Sequence, residues 1–167
     1  HIRVKVMQSL YAFHQSQGKN FQTEEKFLKK SMQEMYDLFL LQLKLIMEIR
    51  AYAARYMEKS QKKFLATSEE KDPNLKFVNN KVIQILEDNH NLQDLIEDRK
   101  ISHWNRDVEY VAILWEEIMK SETFKDYMGT RTPGFKEDKE FVIQLLREVI
   151  APNEKLYDYL EDSKLIW

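Results

Sequence analysis

The chain has 167 residues, of which 43% are hydrophobic and 32% charged, so it has enough apolar surface for a folded core and does not match disordered compositions. Only three Gly and three Pro occur, which argues against β-sandwiches and barrels, because these need turn residues about every 8 to 12 positions. The absence of Cys excludes disulfides, thiolate metal sites and thiol nucleophiles, and we expect a cytoplasmic location.

The formal net charge of −2 conceals an uneven distribution along the chain. Residues 1–66 contain 12 Lys or Arg against 6 Asp or Glu, whereas residues 67–167 contain 14 against 22. A basic segment next to an acidic one can mark a surface that binds a polyanion. A Lys-rich helix face that is merely solvated would have the same composition.

The first predicted helix runs from residue 2 to residue 16 and ends before Gly18. Its apolar stripe recurs at intervals of three and four and consists of Val4, Met7, Leu10, Tyr11 and His14. We expect Val4, Met7 and Leu10 to anchor this helix on the rest of the domain.

The second predicted helix begins near Thr23, keeps the helical period as far as Tyr56 and is the longest in the chain. Its most apolar run, residues 38–49, is too short and too polar to span a bilayer. A polar stretch then ends in Asp72-Pro73, where a helix rarely continues. We therefore predict two packed helical lobes, a basic one at 1–66 and an acidic one at 67–167.

The second lobe is predicted to contain five further helices, some of them short. They cover residues 75–99, a segment from Ser102 or Asn105 to Met119, residues 124–128, residues 141–150, and a last helix that opens at Pro152. The loop Gly129 to Gly134 separates the third of these from the fourth. The sequence therefore predicts an all-α fold of about seven helices, including one long helix.

One segment of the chain is repeated. Residues 92–104 read LQDLIEDRKISHW and residues 156–167 read LYDYLEDSKLIW. After Trp104 the chain continues into a new amphipathic helix, so we expect the native protein to continue past Trp167 in the same way. A chance likeness between two amphipathic helices is the alternative.

No catalytic motif is present, so we predict that the protein is not an enzyme and has no cofactor. The pair Glu87 and His90 has the Glu-x-x-His spacing of di-metal helical bundles, but such sites need a second pair, and neither His14 nor His103 has a Glu three residues before it. We therefore predict no metal site; a di-metal enzyme that uses Glu87 and His90 is a third hypothesis, and it requires bound metal in the purified protein.

The first helix contains residue types that suit single-stranded RNA. Phosphates need cations, and unstacked bases need flat side chains for stacking and amides for their edges. Arg3, Lys5, Gln8 and Tyr11 are of these types, and we predict them as the RNA-binding residues.

The segment from Arg3 to Phe13, with Arg3, Gln8, Leu10 and Tyr11, resembles the first helix of the NusB family of bacterial transcription antitermination factors. The resemblance extends more loosely over most of the chain to a long form of NusB. It implies an all-helical protein that binds a boxA-like single-stranded RNA in nascent ribosomal transcripts. The implied partners are ribosomal protein S10 and the transcription complex with its RNA polymerase.

By this resemblance Arg3 would contact phosphate, and Tyr11 and Gln8 would lie at the RNA surface. Lys5 matches no basic position of the family. If a further half of the protein follows residue 167, its loss would expose apolar surface and favour homo-oligomers.

The alternative function is a helical protein-interaction module that does not bind nucleic acid. In that interpretation the tyrosines together with Trp104, Trp115 and Trp167 would be the anchors of the interface.

Overall fold

The computed structural model describes residues 2–15, 21–62, 67, 71–132 and 134–163. Every regular element in these ranges is helical, so the predicted all-α fold is confirmed. The described elements, in chain order, are α1 (Ile2–Gln15), α2 (Phe21–Gln61), α3 (Lys81–Glu87), α4 (His90–Asp98), α5 (His103–Arg106), α6 (Val108–Lys120), α7 (Glu122–Met128), α8 (Phe135–Gln144), the π-helical segment Leu145–Ile150, and α9 (Glu154–Asp162).

The first two predicted helices are confirmed. They could be predicted because their boundaries follow from local sequence. The helix α1 has 14 residues, and α2 has 41, which corresponds to a length of about 60 Å. The long helix contains no Gly or Pro, so no residue interrupts its backbone hydrogen bonds.

The predicted single helix at 75–99 is wrong, because two asparagines divide it. The Asn80 side chain accepts hydrogen bonds from the backbone N–H of Val82 at 3.0 Å and of Ile83 at 3.1 Å, and so starts α3. The Asn89 side chain accepts one from Leu92 N–H at 3.1 Å and starts α4. Asn side chains compete with the helical backbone for its own donors and therefore favour helix starts over helix interiors.

Two other predicted boundaries also change. The helix predicted from Ser102 or Asn105 is divided at Asp107 into the short α5 and α6. The last helix begins at Glu154 and is capped by Asn153, whose side chain accepts from Leu156 N–H at 2.9 Å. Pro152 therefore lies before this helix and not in its first turn.

One hydrophobic core is shared by residues from both sides of the predicted boundary at 66/67. Its largest fully buried apolar side chains are Leu40, Leu41, Leu45, Ile46, Ile49, Phe77, Ile83, Trp104, Leu114, Trp115 and Ile118. The second half of α2 is thus covered by the acidic part of the chain. The division into two lobes stays a prediction from charge and composition.

Aromatic rings form the centre of this core. Phe77 stacks on Trp115 with ring centroids 5.4 Å apart, and Phe124 contacts both rings edge-on. The Trp104 indole N–H donates to the backbone carbonyl of Leu41 at 2.9 Å and ties α5 to α2. In the first half of α2, between Phe21 and Phe39, only Ser31 is buried. The helix α1 packs on this first half, outside the core.

Candidate nucleic-acid interface

The helix α1 is held against α2 by one narrow face. Ser9 is buried, and Val6 and Phe13 beside it are half-buried. The Phe13 ring meets Phe21 of α2 edge-on, with centroids 5.7 Å apart. A small cavity of about 190 Å³ remains between the two helices near Leu28.

Val4 and Met7 lie on the opposite side of α1, and Leu10 lies at the edge of the contact with α2, so the expectation that these three residues anchor the helix is wrong. Val4, Met7 and Leu10 are 55%, 67% and 58% exposed. The helix has apolar residues on two sides, and helical spacing alone does not distinguish them. The face with Ser9 is the one that packs on α2, although it is the less apolar of the two.

Three of the four predicted RNA-binding residues share the outward face of α1. At 3.6 residues per turn, Arg3, Tyr11 and Gln8 fall within an arc of about 140°, and Arg3 and Tyr11 are about 12 Å apart along the axis. All three are exposed, whereas Lys5 is half-buried on the flank of the helix. The structure therefore brings Arg3, Gln8 and Tyr11 together and separates Lys5 from them.

The Tyr11 side chain is 66% exposed, so its ring is accessible for stacking. Its hydroxyl accepts a hydrogen bond from the Gln15 side-chain amide at 2.8 Å, one turn further along the helix. This bond fixes the end of the ring and leaves its faces accessible. A flat side chain held in this way meets the geometric need of base stacking.

Much of the basic charge of residues 1–66 is already paired. Five of its cations form ion pairs, namely Lys29 with Glu25, Lys30 with Glu34, Lys44 with Glu48, Arg50 with Glu87, and Lys62 with Glu58. Arg3 and Lys5 form no ion pair with any residue that the structure describes. These two cations therefore remain available for a phosphate group, as do the described cations Lys26, Arg55 and Lys59.

The structure contains a buried polar cluster around Lys76 that the sequence does not predict. The Lys76 ammonium group donates to the Tyr127 carbonyl at 2.8 Å, to Thr130 Oγ1 at 2.7 Å and to Glu137 Oε1 at 2.6 Å. The Tyr127 hydroxyl donates to Asp138 Oδ1 at 2.6 Å. Burial and this hydrogen bond raise the pKa of the Tyr127 phenol, so it donates as a neutral group.

The Lys76 cluster holds the segment before α3 against α7 and α8, through the carbonyl of Tyr127 and the carboxylate of Glu137. No sequence signal predicts it, because a Lys in a polar segment ordinarily faces solvent.

Two of the three tryptophans proposed as interface anchors are buried in the core and are not available for that role. Trp104 and Trp115 are each 1% exposed, and Trp167 lies outside the described residues. Glu87 of the Glu-x-x-His pair forms an ion pair with Arg50, while His90 is exposed. Within the described ranges no three His, Asp or Glu side chains are placed to hold a metal ion.

Among the described helices, none combines the length and apolar character needed to cross a membrane. Comparison of the chain with models of protein families, with curated proteins and with solved structures finds no match.

Proposed function

We propose that this chain is an RNA-binding transcription antitermination factor of NusB type, and that it contacts single-stranded RNA through the outward face of α1. The observation that carries the proposal is the shared exposure of Arg3, Gln8 and Tyr11 on one helix face. A guanidinium, an amide and an aromatic ring are the groups that bind phosphate, base edge and base face. The same residues carry the resemblance to NusB.

In this proposal Arg3 binds a phosphate, Tyr11 stacks on a base and Gln8 reaches a base edge. Lys5 adds positive potential from the flank of the helix. The RNA is a boxA-like element of a nascent ribosomal transcript, and ribosomal protein S10 with the transcription complex completes the assembly. The acidic remainder of the chain supports α2 and repels the RNA backbone.

The proposal is tested by fluorescence anisotropy of a labelled boxA-like single-stranded RNA, titrated with the protein at several salt concentrations. The double change Arg3→Glu and Lys5→Glu is expected to weaken binding at least about tenfold, and to lower the salt slope by roughly 0.7 for each phosphate that the variant no longer binds. A matched control is Arg55→Glu with Lys59→Glu, two exposed cations in the second half of α2.

If both double variants weaken binding equally, binding depends on total charge and not on α1. If neither does, the proposed site is wrong. A second pair of variants tests stacking, because Tyr11→Ala removes the ring and Tyr11→Phe keeps it. Loss of stacking on one base costs about 1–3 kcal/mol, so the alanine variant alone is expected to bind several-fold to a hundredfold more weakly.

A protein-interaction module without nucleic-acid binding is the second candidate. It is favoured by the exposed apolar residues Val4, Met7 and Leu10, which replace the buried tryptophans as candidate anchors. The discriminating experiment is a pull-down with nuclease and high salt. A defined protein partner that survives both treatments, together with no binding of the boxA-like RNA, would favour this candidate over the RNA-binding one.

A further inference from the structure

Four large apolar side chains lie together on one side of the hairpin formed by α1 and α2. We call this the hairpin face and define it as Met7, Leu10, Phe21 and Met32, which are 67%, 58%, 63% and 42% exposed. Leu10 and Phe21 both line the cavity between the helices, which places them on the same side. Met7 lies one turn from Leu10, and Met32 lies three turns from Phe21, so both extend the same surface.

The size of this face fits a protein interface. Four side chains of this size and exposure present roughly 400–500 Å² of apolar surface. A stable interface buries about 800 Å² per partner, of which about 55–65% is apolar. The apolar area that each partner contributes to such an interface is therefore close to the apolar area of the hairpin face. The cavity of about 190 Å³ is too small for a typical small-molecule site of about 300–1,000 Å³ and matches a single side chain.

The charges of the hairpin are arranged for an antiparallel pairing. Phe13 lies beside Phe21 near one end, and Val6 and Leu28 line the same cavity further along. Measured along the helix axes from the end of the hairpin where Phe13 meets Phe21, Arg3 lies about 10 Å farther away than Glu24 does. Neither Arg3 nor Glu24 forms an ion pair with a described residue. An antiparallel two-fold axis therefore brings the Arg3 end of one hairpin to the Glu24 end of another.

The total charge of the hairpin also permits self-association. Its described residues up to Phe39 include five Lys or Arg and four Asp or Glu, so the described part of each hairpin is nearly neutral. Most of the acidic residues lie beyond residue 66 in the sequence, outside the hairpin. Repulsion between two hairpins is therefore small.

We propose that a second copy of this chain covers the hairpin face in an antiparallel, two-fold arrangement. The Met32 side chain of each copy fills the cavity of the other, and Met7 lies near the two-fold axis. Methionine suits this role because its unbranched, flexible side chain adapts to irregular gaps. Since the inserting Met32 side chain and the cavity that receives it belong to the same face, the contact is self-complementary and closes as a dimer.

Sedimentation velocity of the nuclease-treated protein across the micromolar range tests this dimer. We expect a concentration-dependent species of twice the 20.2 kDa chain mass. Leu10→Glu is expected to weaken association at least about tenfold, because it buries an unpaired charge in the contact. The matched control is Ala12→Glu, which adds the same charge at an exposed position on the opposite flank of α1.

The orientation is tested with cysteines, which are readily placed because the chain has none. Near the axis, Met7→Cys is expected to form a disulfide between copies in dilute protein, and Ala12→Cys is not. The proposal is overturned if the unaltered chain stays monomeric, if the two glutamate variants associate equally well, or if Ala12→Cys cross-links as fast as Met7→Cys. Met7 lies between Arg3 and Tyr11 on the surface of α1, so the dimer would cover the proposed RNA surface and the two contacts compete. The RNA titrations are therefore made at protein concentrations at which sedimentation shows a monomer, so either proposal can fail alone.

Discussion

At the scale of single residues, the burial of Lys76 is the least expected feature of the molecule. Its side chain is fully buried, yet all three ammonium protons have acceptors and the ammonium lies 4.4 Å from the centre of the Tyr127 ring. Only one acceptor is a carboxylate, and Glu137 itself is 49% exposed. The buried ammonium group is therefore stabilised by two further hydrogen bonds and a ring contact in addition to the ion pair.

We predict that Lys76→Ala lowers the free energy of unfolding by about 3 kcal/mol, since it leaves the Tyr127 carbonyl without its donor and opens a cavity. Lys76→Met is expected to cost less, because it keeps most of the packing volume. Urea denaturation measures both. The control is Lys139→Ala at an exposed position, and an equal cost for Lys76→Ala and the control would contradict the prediction.

At the scale of elements, the repeated segments form matching helices. The helices α4 and α9 both have nine residues, and each is capped by an Asn three residues before the Leu that opens the repeat. The residues at matching positions, Leu92 with Leu156 and Ile96 with Leu160, are buried. The repeat is therefore structural as far as the helices extend. Its continuation past Trp167 stays a prediction.

We predict that Asn89→Ala and Asn153→Ala each lower the free energy of unfolding by about 1 kcal/mol, because each removes the acceptor for a backbone N–H in the first helical turn. The measurement is again urea denaturation. Asn91→Ala, an exposed change within the first turn of α4, serves as the comparison. A cap variant no less stable than Asn91→Ala would show that the observed cap bond does not stabilise its helix.

At the scale of the whole molecule, α1 is attached to the domain but does not contribute to its core. Apart from Ser9 no residue of α1 with a described side chain is buried, whereas Leu45 and Ile49 in the second half of α2 are fully buried. A segment with few buried apolar contacts opens locally at low free energy, without unfolding of the rest. The proposed RNA surface and the hairpin face thus lie on the least stable part of the domain.

Hydrogen exchange of dilute protein should show this difference. We predict that the amides of Leu10 and Tyr11 exchange through local opening, at least about a hundredfold faster than those of Leu45 and Ile49, which need global unfolding. At concentrations that favour the proposed dimer, protection of α1 is expected to rise. Equal protection of both regions in dilute protein would mean that α1 and the core open together.

The amino-acid sequence by itself determined the all-α class, the extents of α1 and α2, and the composition of the candidate site, because helical period and residue chemistry are local properties. Only the tertiary structure decided that α1 buries Ser9 and exposes Met7 and Leu10. It also decided that the second half of α2 belongs to a core shared with the acidic part, and that Lys76 is buried. These outcomes depend on contacts between segments far apart in the chain, so a local sequence pattern does not predict them.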